Sequence, residues 1–164
     1  MLDALLTLLK GLPPEIATAV LAMIPITEQQ ASIPVALQVF GLPLWLAVTA
    51  SFLGNAVPML LILRFLPPVL EWAERRSPWI HRHFFTFFHK RRERFQFSYD
   101  KYGAIALCLF IMIPTPFTGV WTASVLAVLF HIRPRYAAPA ILLGMAIAGA
   151  IVVGVFYGVV GFAG

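Results

Sequence analysis

The chain is predicted to be an all-α integral membrane protein. Its expected plan is an inverted repeat of a re-entrant helical hairpin plus a transmembrane helix, with a cytoplasmic amphipathic helical segment between the repeats. Three observations predict this. First, 60% of the 164 residues are hydrophobic and only 12% are charged, with a mean hydropathy of +0.87, outside the range of soluble domains. Second, two apolar segments are broken near their middles: Ile16 to Phe40 by the stretch Pro25 to Pro34, and Gly103 to Phe130 by the stretch Pro114 to Gly119. A broken backbone at membrane depth leaves N–H and C=O groups unpaired, and it persists only against protein or a wet cavity. Third, landmarks recur at a near-constant offset: Pro25 and Pro114 differ by 89 positions, Gly54 and Gly144 by 90, and Pro43 and Pro134 by 91.

Residues 1–164 are read as a single membrane domain. Residues 1–14 carry Asp3, lack a leading basic cluster and end in the breaker Gly11-Leu-Pro-Pro14. They read as a short interfacial helix, with no cleaved signal peptide expected. The first repeat spans 15–66, with its hairpin at 16–40 and an unbroken span at 42–66. The hairpin arms, 16–24 and 29–40, are each ~14 to 18 Å long at 1.5 Å per residue, half a bilayer, so the tip belongs near the midplane. The second repeat spans 103–164: a hairpin at 103–130, with arms 103–113 and 119–130, and a charge-free span at 136–162. A hairpin exits on the side it entered whereas a span crosses, so the second unit starts from the opposite face and the repeat is inverted, as in many secondary transporters.

Residues 67–102 form a basic amphipathic connector. Of twelve Lys and Arg, eight (Arg75, Arg76, Arg82, Lys90, Arg91, Arg92, Arg94, Lys101) lie there. Apolar residues at Ile80, Phe84, Phe88, Phe95, Tyr99 and Tyr102 are spaced mostly by three or four, which reads as a helix on the cytoplasmic leaflet facing anionic headgroups. A solvated helix pair under the hairpins is the alternative. Pro78 implies a break near Ser77. Hairpins place this loop and the Arg133-Pro-Arg135 turn on one face, whereas four full spans would separate them. Basic loops prefer the cytoplasm, so both termini are expected outside it. The net charge of +5 is thus an orientation signal, and no nucleic-acid partner is expected.

Glu28 is the only acid within the apolar segments. An intramembrane carboxyl is costly unless paired, hydrated or useful, so it is a candidate for binding a proton or a cationic group. It also fits the first turn of the second arm, where Thr27 and Gln30 match a capping box. Thr118 is placed to cap the arm beginning at Gly119. Two helix N-termini meeting at the midplane would favour an anion, which Glu28 opposes unless protonated. Trp121, Thr122 and Ser124 follow the second tip, where Trp121 either lines a path or packs with its N–H on a carbonyl. Asn55, beside Gly54 and before Pro58, either binds an open backbone group or joins helices. Arg64 is expected to snorkel. The hairpin breakers are Pro25, Pro34, Pro114, Pro116 and Gly119.

Ala146, Ala150, Gly154 and Gly158 form a small-residue face that could seat the first hairpin or a second protomer. His81 and His83 point to different sides of a helix and, with His89 and His131, make no metal pattern; the single Cys108 excludes a disulfide. No nucleophile-and-base pair or phosphate loop is present. An enzyme, a cofactor and a metal are therefore not expected.

The segments Ile24-Pro-Ile-Thr-Glu-Gln-Gln-Ala-Ser-Ile-Pro34, Leu53-Gly-Asn55 and Ile113-Pro-Thr-Pro-Phe-Thr-Gly-Val-Trp-Thr122 resemble the small multidrug export family of prokaryotic membrane proteins, itself distantly similar to the DedA (VTT-domain) proteins. The resemblance implies a prokaryotic inner-membrane protein with two opposed re-entrant hairpins. Through the DedA proteins it implies movement of polyprenyl-phosphate or other lipids, often proton-linked. Gln30 stands where the resemblance implies an Arg, which removes the positive partner of a Glu-Arg pair. Phe117 and Ala123 stand where it implies glycine, for a bulkier hairpin.

The expected function is a small transporter moving an amphipathic or lipid-like solute through a midplane site. Glu28 would be the proton- or charge-sensing group, Thr27 and Thr118 the caps, and Gln30, Asn55, Trp121 and Thr122 the lining. The alternatives are a lipid translocase or scramblase of DedA type and a non-transporting scaffold. Expected partners are membrane lipids, the solute, protons and a second copy of the chain, because two full spans hardly enclose a pathway.

Overall fold

The structure is a computed structural model that describes residues 9, 11–76, 101–114 and 119–163. Among these residues there are six helices and no strand. They are α1 (Pro14–Met23), α2 (Glu28–Gln38), α3 (Leu44–Arg76), α4 (Lys101–Met112), α5 (Val120–Leu129) and α6 (Pro134–Ala163). Two of them contain stretches long and apolar enough to cross a bilayer, Leu44–Ala73 and Pro134–Val159. The other four have 10 to 12 residues, each about half a bilayer in length. Residues 1–8 and most of the basic connector, 77–100, lie outside the described residues, as do Pro116, Phe117 and Thr118.

The short helices begin and end where local chemistry dictates. Pro14 opens α1, where its missing N–H has no helical partner to lose. At the other end the carbonyls of α1 meet the Pro25 turn. Helix α2 then returns along α1: Val35 and Phe40 from its far end pack with Leu9, Ala17 and Leu21. The second pair is built alike. Gly103 at the start of α4 sits against Ile132, just past the end of α5, and Leu107, Ile111, Val120, Ala123 and Ala127 share one core. Pro34, expected as a breaker, lies inside α2.

Helix α3 differs from its expected extent. It starts at Leu44 and continues past residue 66, through Pro67 and Pro68, to Arg76, so the connector begins as helix. A proline inside a helix loses its own N–H bond and crowds the carbonyl four residues earlier; here Leu63 shares a core with Ile132, and Pro67 and Leu70 line a pocket with the segment Val128 to Pro134. Arg75 and Arg76 in the last turn complement the helix dipole, and the Arg76 guanidinium lies 4.9 Å from the Trp72 ring centroid. Leu70 and Glu71 near the end of α3 line one pocket with Arg133 and Pro134 at the start of α6, so the two long helices run antiparallel.

Each long helix carries one glycine pressed onto a neighbouring backbone. A Cβ at Gly54 would overlap the Ala19 backbone of α1, and one at Gly144 would lie 2.9 Å from the Cys108 carbonyl oxygen of α4. The small-residue face Ala146, Ala150, Gly154, Gly158 is exposed and does not seat the first hairpin. Met145, Ala148 and Gly149 turn inward instead.

Gly54→Ala is expected to destabilise the protein by about 1–3 kcal/mol through backbone overlap. Gly158→Ala, with open space around it, should leave the melting temperature in detergent unchanged or slightly higher. Equal melting temperatures for Gly54→Ala and the parent would remove the close-contact account.

Candidate functional site

The tip of the first hairpin is a tight turn from Ile24 to Thr27. The N–H groups of Thr27 and Glu28 both reach the Ile24 carbonyl, at 3.2 and 3.0 Å. The expected capping box does not form, because Thr27 makes no side-chain cap bond to α2. Its hydroxyl donates instead to the Leu21 carbonyl at 2.5 Å, a second bond to an oxygen at the end of α1 that also accepts the Ile24 N–H at 3.3 Å. The turn forces Glu28 to φ +36°, a left-handed conformation that costs a residue with a Cβ about 1–3 kcal/mol. Strain of that size persists only where the surroundings fix the residue.

What fixes Glu28 is the other hairpin. Helix α5 begins after Gly119, which is extended and supplies no side-chain cap. Its first N–H groups are capped across the molecule: the Glu28 carboxylate accepts from the Val120 N–H at 3.3 Å, and the Trp121 N–H also faces it. A Cβ at Gly119 would occupy the volume of that carboxylate, so a glycine is needed here for a close approach. Glu28 thus begins α2 and places its carboxyl group on the N-terminus of α5, at the positive ends of two helix dipoles. It is 6% exposed. The place that two converging N-termini would offer an anion is filled, in this chain, by its own carboxyl group.

The tips are tied reciprocally. The Trp121 indole N–H donates to the Met23 carbonyl at 3.0 Å, closing the C-terminus of α1 from the second hairpin. The Gln29 amide donates to the Met145 carbonyl on α6 at 2.8 Å. One turn along α2, the Ser32 hydroxyl donates to Ser51 on α3 at 2.9 Å. All four polar side chains of these last two contacts and of the tip, Glu28, Gln29, Ser32 and Ser51, are buried.

Of the residues singled out in the sequence, the structure brings together Thr27, Glu28, Gly119 and Trp121 around the tips, and Asn55 is fully buried on α3. Thr122 is exposed and Gln30 half-buried; Pro25 is exposed in the turn and Pro114 follows α4. Thr118 and Pro116 lie outside the described residues. Gln29, Ser32 and Ser51 were not expected in the site. Their signal was present, since polar residues four apart on an apolar helix share one face. Among the described residues no group of three or more His, Cys, Asp or Glu could hold a metal.

Two apolar grooves leave the tips. One, of about 490 Å³, is lined by Met23, Val57, Pro58, Leu61, Ile62, Phe65, Leu66, Val69 and Trp121. The other, of about 400 Å³, is lined by Gln30, Pro34, Gln38, Pro114, Val152, Val155, Phe156 and Val159. Six positions of each wall correspond across the two grooves. Ile62, Phe65, Leu66 and Val69 stand 90 residues before Val152, Val155, Phe156 and Val159, Met23 stands 91 before Pro114, and Gln30 stands 91 before Trp121. The glycine contacts repeat the relation, Gly54 and Gly144 lying 90 apart and Ala19 and Cys108 lying 89 apart. Because α3 and α6 are antiparallel, and each groove follows the later half of its long helix, the grooves point to opposite ends of the molecule.

Gly119→Ala should displace the Glu28 carboxylate, and Glu28→Ala should remove it. A double-mutant cycle on melting temperature is expected to show coupling of about 0.5–3 kcal/mol, as for residues in one contact. Trp121→Phe should cost about 1 kcal/mol for its lost bond. Additive effects of the Gly119 and Glu28 changes would show that the two do not touch.

No curated protein and no solved structure matches the chain. The family described as "Putative small multi-drug export protein" matches residues 28–151, from Glu28 at the first tip to the middle of α6. With that match covering most of its length and two helices suited to crossing a bilayer, this is a membrane protein, and it belongs to the small multidrug export family.

Proposed function

We propose that the protein exports an amphipathic solute through a site at the meeting of its two hairpin tips, with the paired grooves as the two halves of the path. The observation that carries this reading is the capping of α5 by Glu28 from the opposite hairpin, at 3.3 Å from the Val120 N–H. The contact lies near the middles of both long helices, since Gln29 reaches Met145 and Trp121 lies beside Pro58 in the first groove. Broken helices with converging termini at that depth are how transporters bind solutes between inverted repeats.

The grooves support the same reading. Each starts at a tip and runs along one long helix, and their 90-residue correspondence is what an inverted duplication produces. A solute with an apolar body and a polar head would lay the body in a groove and bring the head to the tips. Glu28 then acts as the gate. While charged it holds α5 to α2; once protonated it loses its strongest hold on the N–H groups, because a neutral carboxyl is the poorer acceptor, and the tips can part. The start of α6 lies beside the late part of α3, with Arg133 and Glu71 lining one pocket, so Arg75, Arg76, Arg133 and Arg135 would fall toward one end of the molecule, the bias that a cytoplasmic face would show. The exposed stripe on α6 from Ala146 to Gly158 is the surface on which a second copy would pack.

A second reading, lipid translocation, is favoured by the first groove in particular, whose lining is apolar throughout. An acyl chain fits such a wall as well as a drug does.

In vesicles containing the purified protein, efflux of a fluorescent amphipathic dye should depend on pH in the parent. Glu28→Gln should abolish that dependence and lower the rate about tenfold or more, equivalent to losing one strong contact. Leu61→Trp and Val155→Trp, one in each groove, should each slow transport. Labelled-lipid flux without dye efflux would favour translocation. Glu28→Gln activity equal to the parent at every pH would end the gating role.

A further inference from the structure

Two side chains in the interior are fully buried yet find no hydrogen-bond partner among the described residues: Asn55, at both amide atoms, and Ser124, at its hydroxyl. A helical hydroxyl commonly turns back to the carbonyl four residues earlier, as Thr18 does to Pro14 and Thr49 to Trp45. Ser124 does not. Each unpaired buried group costs about 1–3 kcal/mol, and hydrocarbon around a membrane protein supplies no relief.

Their positions place both groups in one seam. On α3, Ser51, Asn55 and Met59 are one turn apart and share a face. Ser51 bonds Ser32 of α2, and Met59 belongs to the same core as Val120 and Ala123 of α5. Asn55 therefore lies where α2 and α5 both meet α3. Ser124 is one turn beyond Val120, the residue whose N–H holds Glu28. Glu28 is itself one turn before Ser32. Three helices thus bring paired positions, four residues apart, to a common junction: Glu28 with Ser32, Ser51 with Asn55, and Val120 with Ser124.

The donor set defines the ligand. Asn55 offers an acceptor and a donor, and Ser124 offers either. A bare cation would face the Asn55 amide N–H₂, and an anion would face its oxygen. A small neutral ligand that both donates and accepts suits the whole set, and water does so with the two to four partners that a buried water requires.

We propose that Asn55 and Ser124 hold a buried water in the α2–α3–α5 seam, and that this water exchanges protons with Glu28. The second clause rests on the gating role of Glu28. On the helices packed around the junction, Glu15 of α1, Arg64 and Glu71 of α3, Lys101 and Tyr102 of α4, His131 beyond α5, and Arg133, Arg135, Tyr136 and Tyr157 of the α6 segment lie well along the chain from the tips, and Cys108 of α4 is the described titratable side chain nearest to them in sequence.

The test is infrared difference spectroscopy between acid and alkaline pH on the full chain in lipid nanodiscs, in ordinary and heavy-oxygen water. The parent should show a water O–H band that shifts with the oxygen isotope and is lost in both Asn55→Leu and Ser124→Ala. Deuterium exchange at the Glu28 carboxyl, followed by its C=O band, should slow about tenfold in the milder Ser124→Ala, the effect of one lost hydrogen bond. Absence of an isotope-sensitive water band in the parent overturns the site. A band that disappears in the variants with unchanged exchange at Glu28 overturns the proton route. If the band and the slowed exchange are found while Glu28→Gln transports like the parent, the water site stands and the gating role alone fails.

Discussion

The structure depends on one constraint: helix ends inside a membrane protein must find partners within the chain. Short helices bring their termini to the middle of this molecule, and two of these ends are answered from the opposing hairpin. Glu28 satisfies the start of α5 and Trp121 the end of α1, while Thr27 bonds back into α1 and Gln29 ties the start of α2 to α6. Because Glu28 and Trp121 each serve the opposite hairpin, neither tip is complete without the other. The left-handed backbone of Glu28 and the missing side chain at Gly119 follow from the same requirement.

This reciprocity reconciles two properties that conflict when each hairpin is considered alone. Converging N-termini attract negative charge, and a buried acid repels it. Once the acid is itself the group lying on those termini, the conflict is resolved within the chain, and one carboxyl joins the two hairpins.

Much of the architecture was legible from residue pattern. The arms α1, α2, α4 and α5 fall within a few residues of their expected bounds, because prolines and glycines punctuate the chain at the helix ends. The 90-residue offset seen in three landmarks extends to groove walls and glycine contacts. What was not legible lies in tertiary contacts. The expected span ends at residue 66, yet α3 runs on through Pro67 and Pro68 to Arg76, beside the start of α6. Thr27 and Gln30 match a capping box, but the turn is so tight that the Thr27 hydroxyl bonds backward into α1. Glu28 reads as a local cap, and its actual partner is 92 positions away, a distance no local pattern encodes. The small-residue stripe on α6 was visible as a stripe, but its outward direction was not.

The length of α3 has a mechanical consequence. At 33 residues it is about 50 Å long, well beyond a ~30 Å hydrocarbon layer. The same rod that forms one groove wall from Leu61 to Val69 therefore emerges to carry Trp72, Arg75 and Arg76. Pro67 and Pro68 stand between most of that wall and the basic end, and each leaves one helical carbonyl without its bond, so a pull on the basic end by headgroups would be felt first at this weakened turn of the rod.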